Sequence, residues 1–235
     1  MDKTGGPVEI FLVGVVHGDP EGYEKVLRLL ETIRPQAVSV EISAYSWNYR
    51  QRREVSWQGR FHQGLRSLPR RQREHPALRP VAAQLAMPFE VRAAAAYARQ
   101  CGITWEAVDI NAIAREHLPL YGKDLLSPKN LAYLASTPEA DWKEAIRGQY
   151  QRARRAMDAR GAGEKGLAVT AASPQATMRE KVLARRIRSL AKKCRRVVHL
   201  GGWEHCLTGR PQKTMADFLT ACRPRRLLLD DNETC

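Results

Sequence analysis

Short unbroken apolar runs, separated by amphipathic stretches, set the rhythm of this chain. Val8-Glu-Ile-Phe-Leu-Val-Gly-Val-Val16 is rich in β-branched residues and is closed by His17-Gly-Asp-Pro20, which reads as a buried strand ending in a turn. Tyr23, Val26, Leu27, Leu30 and Ile33 then recur at three- and four-residue spacing, so a helix follows with one face on a sheet. Its predicted N-cap is Asp19, with Pro20 in the first turn and Arg34-Pro35 as its stop. Residues 37–42 are a second apolar strand with Glu41 near its carboxyl end. Strand, helix, strand make a βαβ unit with a right-handed crossover.

The rhythm continues after a looser middle stretch. Pro88 opens a helix that runs to Gln100 and stops at Gly102, a residue suited to a left-handed C-terminus. Residues 103–109 are a third strand, and Asn111 to His117 a helix. Pro119, Gly122 and Pro128 mark a loop, with Ser127-Pro128 starting another helical piece. A basic amphipathic helix is predicted over 138–159, with Trp142, Ile146, Tyr150 and Met157 as contacts. Gly161-Ala-Gly163 and Gly166 interrupt the pattern before a helix over 174–193, whose apolar side is Met178, Val182, Leu183, Ile187 and Leu190. A fourth strand over 195–200, a short helix over 214–221 and a closing strand over 226–230 complete the series. The expected fold is α/β: one domain with a mainly parallel sheet and helices on both faces. It carries an Arg-rich helical insertion at about 44–87 and a helical excursion at about 118–172.

Composition narrows the class. The 235 residues are 43% hydrophobic and 27% charged, as in a globular chain, and no apolar run approaches the roughly 18–20 residues of a membrane span. Met-Asp-Lys-Thr-Gly-Gly-Pro precedes the first strand without a secretory segment. The five cysteines form no C-x-x-C pair, and a reducing, cytoplasmic setting is expected. The net charge of +14 changes the picture most. From Arg50 to Arg79 there are nine Arg and only two acidic residues, Glu54 and Glu74, with Trp47, Tyr49, Trp57 and Phe61 interleaved. These aromatics either pack inward, leaving a solvated basic face, or belong to a surface for an anionic partner such as nucleic acid or a membrane. No RNA-recognition signature, zinc finger or helix-turn-helix accompanies the charge.

Candidate chemistry gathers where strands end. His17, Glu41, Asp109 and His205 each fall at or just beyond a predicted strand end, and in a parallel sheet those ends share one edge. Two histidines and a carboxylate are a ligand set for a divalent metal such as Mn, Zn or Co, which would supply hydroxide near neutral pH. Without metal, a strand-end His beside Glu can act as general base. The spacing Gly14-x-x-His17 returns as Gly202-x-x-His205, each after a strand. A third copy, Gly59-x-x-His62, lies in the Arg-rich stretch with no strand before it.

These residues resemble the TraB/PrgY/Tiki family, within the superfamily that includes erythromycin esterases and ChaN-like haem-binding proteins. Gly14-Val-Val-His17 with Glu41 is similar to that group's opening signature. Asp109 with Asn111 and Arg115 resembles its internal strand-end Asp and following helix. Met178-Arg179-Glu180-Lys-Val-Leu-Ala184 resembles its Arg-bearing helix, and Gly202-Trp-Glu-His205 its second G-x-x-H. His17-Gly-Asp-Pro-Glu21 is similar to the esterases' H-G-x-x-E, although Gly14 stands where those enzymes carry a further Glu. The resemblance implies an EreA/ChaN-like fold and a metal-dependent hydrolase, with peptidase among its candidate activities, using His17, Glu41 and His205, with Asp109 and Arg179 beside them. Its substrate would be a small molecule or a peptide. The same scaffold also admits a non-catalytic protein that holds metal, haem or an anionic ligand.

Overall fold

The computed structural model describes residues 7–158 and 173–234. Its centre is a five-stranded, all-parallel sheet in the order β3-β2-β4-β1-β5. The strands are β1 (Glu9–Val15), β2 (Ala37–Val40), β3 (Thr104–Ala107), β4 (Arg196–Gly202) and β5 (Arg225–Leu228). The α/β expectation therefore holds, and the sheet is wholly rather than mainly parallel. β1 and β4 lie side by side at its middle, with Gly14 opposite Gly201 and Val15 opposite Gly202.

Period-two alternation assigns the two faces. On one side Phe11, Val13, Val15, Val38, Val40, Val198 and Leu200 meet α1 (Gly22–Ile33), α4 (Phe89–Cys101) and α7 (Trp142–Asp158). On the other, Ile10, Leu12, Ala37 and Val197 meet α8 (Pro174–Ala191) and α9 (Met215–Leu219). Both faces are covered, as parallel strands require. Ser39 and His199 fall on the α8 side of the sheet, next to one another in the register.

The stretch after β2 is helical. It comprises α2 (Ala44–Ser67), two short 3₁₀ turns and α3 (Arg79–Leu85). Ser43 caps α2 by accepting from the backbone N–H of Ser46 at 3.0 Å. Trp57, Phe61, Leu68, Val81 and Leu85 form a separate apolar cluster with Leu118, Leu126 and Leu131, between α5 (Asn111–His117) and α6 (Pro128–Leu134). The interleaved aromatics thus pack inward, with Trp47 edge-on to Trp105. The chain from α5 through α7 is helical too, whereas the glycine-rich break at 161–166 lies outside the described residues.

One local expectation is corrected. Asp19 is not the N-cap of α1; that position is Glu21, without a side-chain cap. Asp19 is instead buried, accepting from the Glu21 N–H at 2.9 Å and from the Tyr150 hydroxyl at 3.1 Å. A distant tyrosine on α7 and Lys25 on α1 claim the carboxylate that local pattern assigned to the cap. No helix among the described residues is long and apolar enough to cross a membrane, and the four cysteines among them are free.

Candidate active site

The carboxyl edge of β1, β2 and β4 collects the candidate residues, and glycines allow the approach. A Cβ on Gly14 would stand 2.8 Å from the Trp203 Cα, so the chain leaving β4 can cross β1 only over glycine. A Cβ on Gly202 would stand 3.3 Å from His17 Nε2, 3.5 Å from Glu204 Oε2 and 3.6 Å from Glu41 Oε2. The two G-x-x-H segments therefore interlock: each glycine makes room for a residue of the other segment. His62, in the third copy, points away on exposed α2 and bonds the Gln58 carbonyl of its own helix.

Glu41 is the hub. Its side chain is 6% exposed and accepts from Arg179 at 2.5 Å, from His205 Nε2 at 3.0 Å and from the Gly202 N–H at 2.6 Å. Burial resists its charge, but His205, Arg179 and His17 together hold its carboxyl well below the usual range. Arg179 also grips Asp109 in a two-pronged contact at 2.8 Å and 2.8 Å, the fork geometry that suits guanidinium. Asp109 therefore reaches the cluster through Arg179.

His205 is clamped on both sides. Nε2 faces Glu41 and Nδ1 lies 2.6 Å from Glu180 Oε1. Both ring nitrogens must donate, which defines an imidazolium. Burial opposes that charge, yet the two carboxylates push its pKa up to about 10. Glu180 is itself fixed by the Met215 N–H at 2.6 Å, at the start of α9.

His17 is placed differently. Its Nδ1 donates to Glu90 Oε1 at 2.8 Å, while its side chain is 56% exposed. Glu90 is buried in the first turn of α4, and its other oxygen has no partner among the described residues. The protein packed around the inner edge of the ring opposes its charge although the outer edge is open, but Glu90, then Glu41 and Glu204, raise its pKa to about 9. The outward Nε2 and the exposed Glu204 carboxylate share the space above Gly202. Behind them lies His199, fully buried, with Nδ1 3.0 Å from Ser39 Oγ and Nε2 unpartnered among the described residues. Burial pushes its pKa down to about 4, so it is neutral.

The sequence named His17, Glu41, Asp109, Arg179 and His205, and all five lie in this cluster or are bonded to it. Two other named residues lie elsewhere: Glu21 pairs with Lys143 at 3.0 Å, and Arg115 covers the Tyr45 ring. Glu90 was not anticipated. Its signal was present, because Glu90, Ala93, Ala94 and Tyr97 share the buried stripe of α4, and an acid on an apolar stripe needs a partner.

The expected metal trio of His17, Glu41 and His205 does not fit a metal as arranged. Both His205 nitrogens are committed to carboxylates, leaving no lone pair for a cation. No group of three His, Cys, Asp or Glu side chains among the described residues stands in a metal-holding arrangement. Comparison with known proteins adds no relative: no family model, curated protein or solved structure matches the chain.

Proposed function

We propose that this chain is a hydrolase of acyl bonds, ester or peptide, working through His17 and Glu204 over a fixed platform of Glu41, Arg179 and His205. The observation that carries the reading is the His17–Glu90 pair: a buried carboxylate fixes Nδ1 at 2.8 Å and leaves Nε2 facing an open edge. A carboxylate behind an imidazole sets its tautomer and stabilises its charged form. With a pKa of about 9, His17 rests as an imidazolium at neutral pH and acts as the acid.

In this scheme Glu204 takes a proton from water, and the hydroxide adds to the carbonyl carbon. The bond to the leaving group breaks as His17 gives that group its Nε2 proton. Proton return from Glu204 through solvent restores both residues. Glu41 takes no proton, because three donors hold it ionised. The resemblance to the TraB/PrgY/Tiki family and to erythromycin esterases supports a hydrolase at this position of the fold, and the proposed setting is cytoplasmic.

The test is a panel of chromogenic esters and peptides, assayed with wild type, His17→Ala and Glu204→Gln. Circular dichroism must show all three folded. The expected result is turnover by wild type and a loss on the order of 100-fold or more in each variant, the scale of general acid–base catalysis. Activity that survives His17→Ala overturns the scheme. Activity that appears only with added manganese, zinc or cobalt transfers the reading to a metal-dependent hydrolase, with His205 displaced from one of its carboxylates.

A further inference from the structure

We infer that the outer face of α2 and the turns behind it form a binding surface for the phosphate backbone of a nucleic-acid duplex, separate from the strand-end site. Of the nine arginines between Arg50 and Arg79, eight are exposed: Arg52, Arg53, Arg60, Arg66, Arg70, Arg71, Arg73 and Arg79. Arg50 is the exception, buried and donating to the Gln84 and Ala86 carbonyls at 2.7 Å and 3.2 Å. The arginines that form ion pairs among the described residues are Arg154, Arg179 and Arg196. None of the eight forms an ion pair among the described residues.

Three features choose the partner. Residues 44–87 contain no lysine, and arginine is the cation whose planar fork matches phosphate oxygens. The interleaved aromatics are engaged within the fold: Trp57 and Phe61 are 3% and 7% exposed in the helical core, and the half-buried Trp47 and Tyr49 pack on Trp105 and on Tyr45 and Trp57. Single-stranded binding relies on aromatic stacking platforms, so the surface suits the backbone of a duplex. A membrane surface calls for an outward apolar face, yet the one exposed large hydrophobic residue of this stretch is Val55. Favourable placement of cations at a helix C-terminus accounts for Arg66 alone, because the macrodipole acts only within the last turn.

The geometry fits an extended polyanion. Arg52 and Arg66 lie on one outward line of α2, about 21 Å apart at the helical rise. Arg73 continues the surface by folding back on the Leu68 and Arg66 carbonyls at 3.0 Å each. Binding of this kind is sequence-independent and salt-dependent, with log K falling by about 0.9 per phosphate neutralised for each decade of salt.

The experiment measures fluorescence anisotropy of a labelled 20-bp DNA duplex of arbitrary sequence, from 50 to 200 mM salt, with the full chain. Wild type is compared with Arg52→Gln/Arg66→Gln/Arg70→Gln/Arg71→Gln. The control removes equal charge from the end of α8 and the turn that follows it: Arg185→Gln/Arg188→Gln/Lys192→Gln/Lys193→Gln, all exposed. The α2 variant is expected to lose affinity and about 3–4 units of salt slope, while the α8 variant and His17→Ala bind as wild type. Failure of wild type to bind the duplex at 50 mM salt overturns the inference. So does equal loss in both charge variants, which would reduce the effect to net charge. Binding to phosphatidylserine vesicles without binding to the duplex also overturns it.

Discussion

Gly14 and Trp203 meet across the middle of the sheet at a distance that admits no side chain: a Cβ on the one would lie 2.8 Å from the Cα of the other. Because Trp203 follows directly on β4, this contact sets the height at which the second G-x-x-H segment leaves the sheet. His205 is thereby placed against Glu41, and Gly202 under His17. Gly14 is a steric requirement of this crossing, and Gly202 leaves the room into which the His17 ring and the Glu41 and Glu204 carboxylates reach.

Gly14→Ala is therefore expected to destabilise the fold by about 1–3 kcal/mol, the cost of forcing an atom into a packed region against backbone. The internal control is Gly59→Ala, in the third copy of the spacing, where a Cβ meets nothing within 4 Å. There an alanine replaces a mid-helix glycine and should stabilise by about 0.5–1 kcal/mol. Urea denaturation of the two variants should move the midpoint in opposite directions; a shared direction would remove the steric argument.

Glu90 governs the charge of His17. Its side chain is 4% exposed and lies against Nδ1, and Glu90 and its field hold the His17 pKa at about 9. Glu90→Gln keeps the shape and removes the charge, so the His17 pKa should fall toward the ordinary 6.5 of histidine. NMR titration of the His17 ring carbons measures this directly. In the proposed hydrolase the alkaline limb of the rate profile, where the imidazolium is lost, should move down with it. A ring that still titrates near 9 in the variant would show that Glu90 is not the cause.

These relationships explain which parts could be read in the chain itself. β1 and β4 were legible because unbroken β-branched runs ending in glycine have few other solutions, and Glu41 because it ends such a run. Glu90 was legible only as an acid on an apolar stripe; its partner was not, since His17 lies 73 positions earlier. Asp19 misled for a similar reason. Local pattern made it a cap, while Tyr150, 131 positions later, takes its oxygen. Spacing does not contain the second carboxylate of His205, which takes the ring nitrogen that the metal trio would need. Glu180 was visible beside Arg179, but only the fold turns both of these neighbours toward one site.

Glu180 joins the site to α9, accepting from the Met215 N–H and pairing with His205. Glu180→Ala should leave a buried N–H and one side of an imidazolium without a partner. The expected loss is at least about 1.5–3 kcal/mol for the charged hydrogen bond. Glu180→Gln should recover part of that stability, because its amide oxygen can still accept from Met215. Denaturation curves test the order: wild type above Gln above Ala. Equal stability of all three would mean that α9 is held by its apolar contacts alone.

Opposed histidine shifts predict a stability maximum in the mildly acidic to neutral range. His17 and His205 have folded pKa values raised to about 9 and about 10, so their contributions are complete below the unfolded value of 6.5. Those contributions decline as pH rises through the folded values. His199 shifts the other way, to about 4. Below pH 6.5 the unfolded chain takes up a proton that the folded one refuses, and stability falls until about pH 4. Glu41, held low, adds a loss at still lower pH as its carboxylate is finally protonated. Equilibrium denaturation from pH 4 to 10 should therefore trace a dome. His199→Asn should flatten its acid side between pH 4 and 6.5 and leave the alkaline side unchanged. His205→Gln should flatten the alkaline side, at a cost in absolute stability. If His199→Asn leaves the acid limb as steep as in wild type, the buried ring is not what makes the fold acid-sensitive.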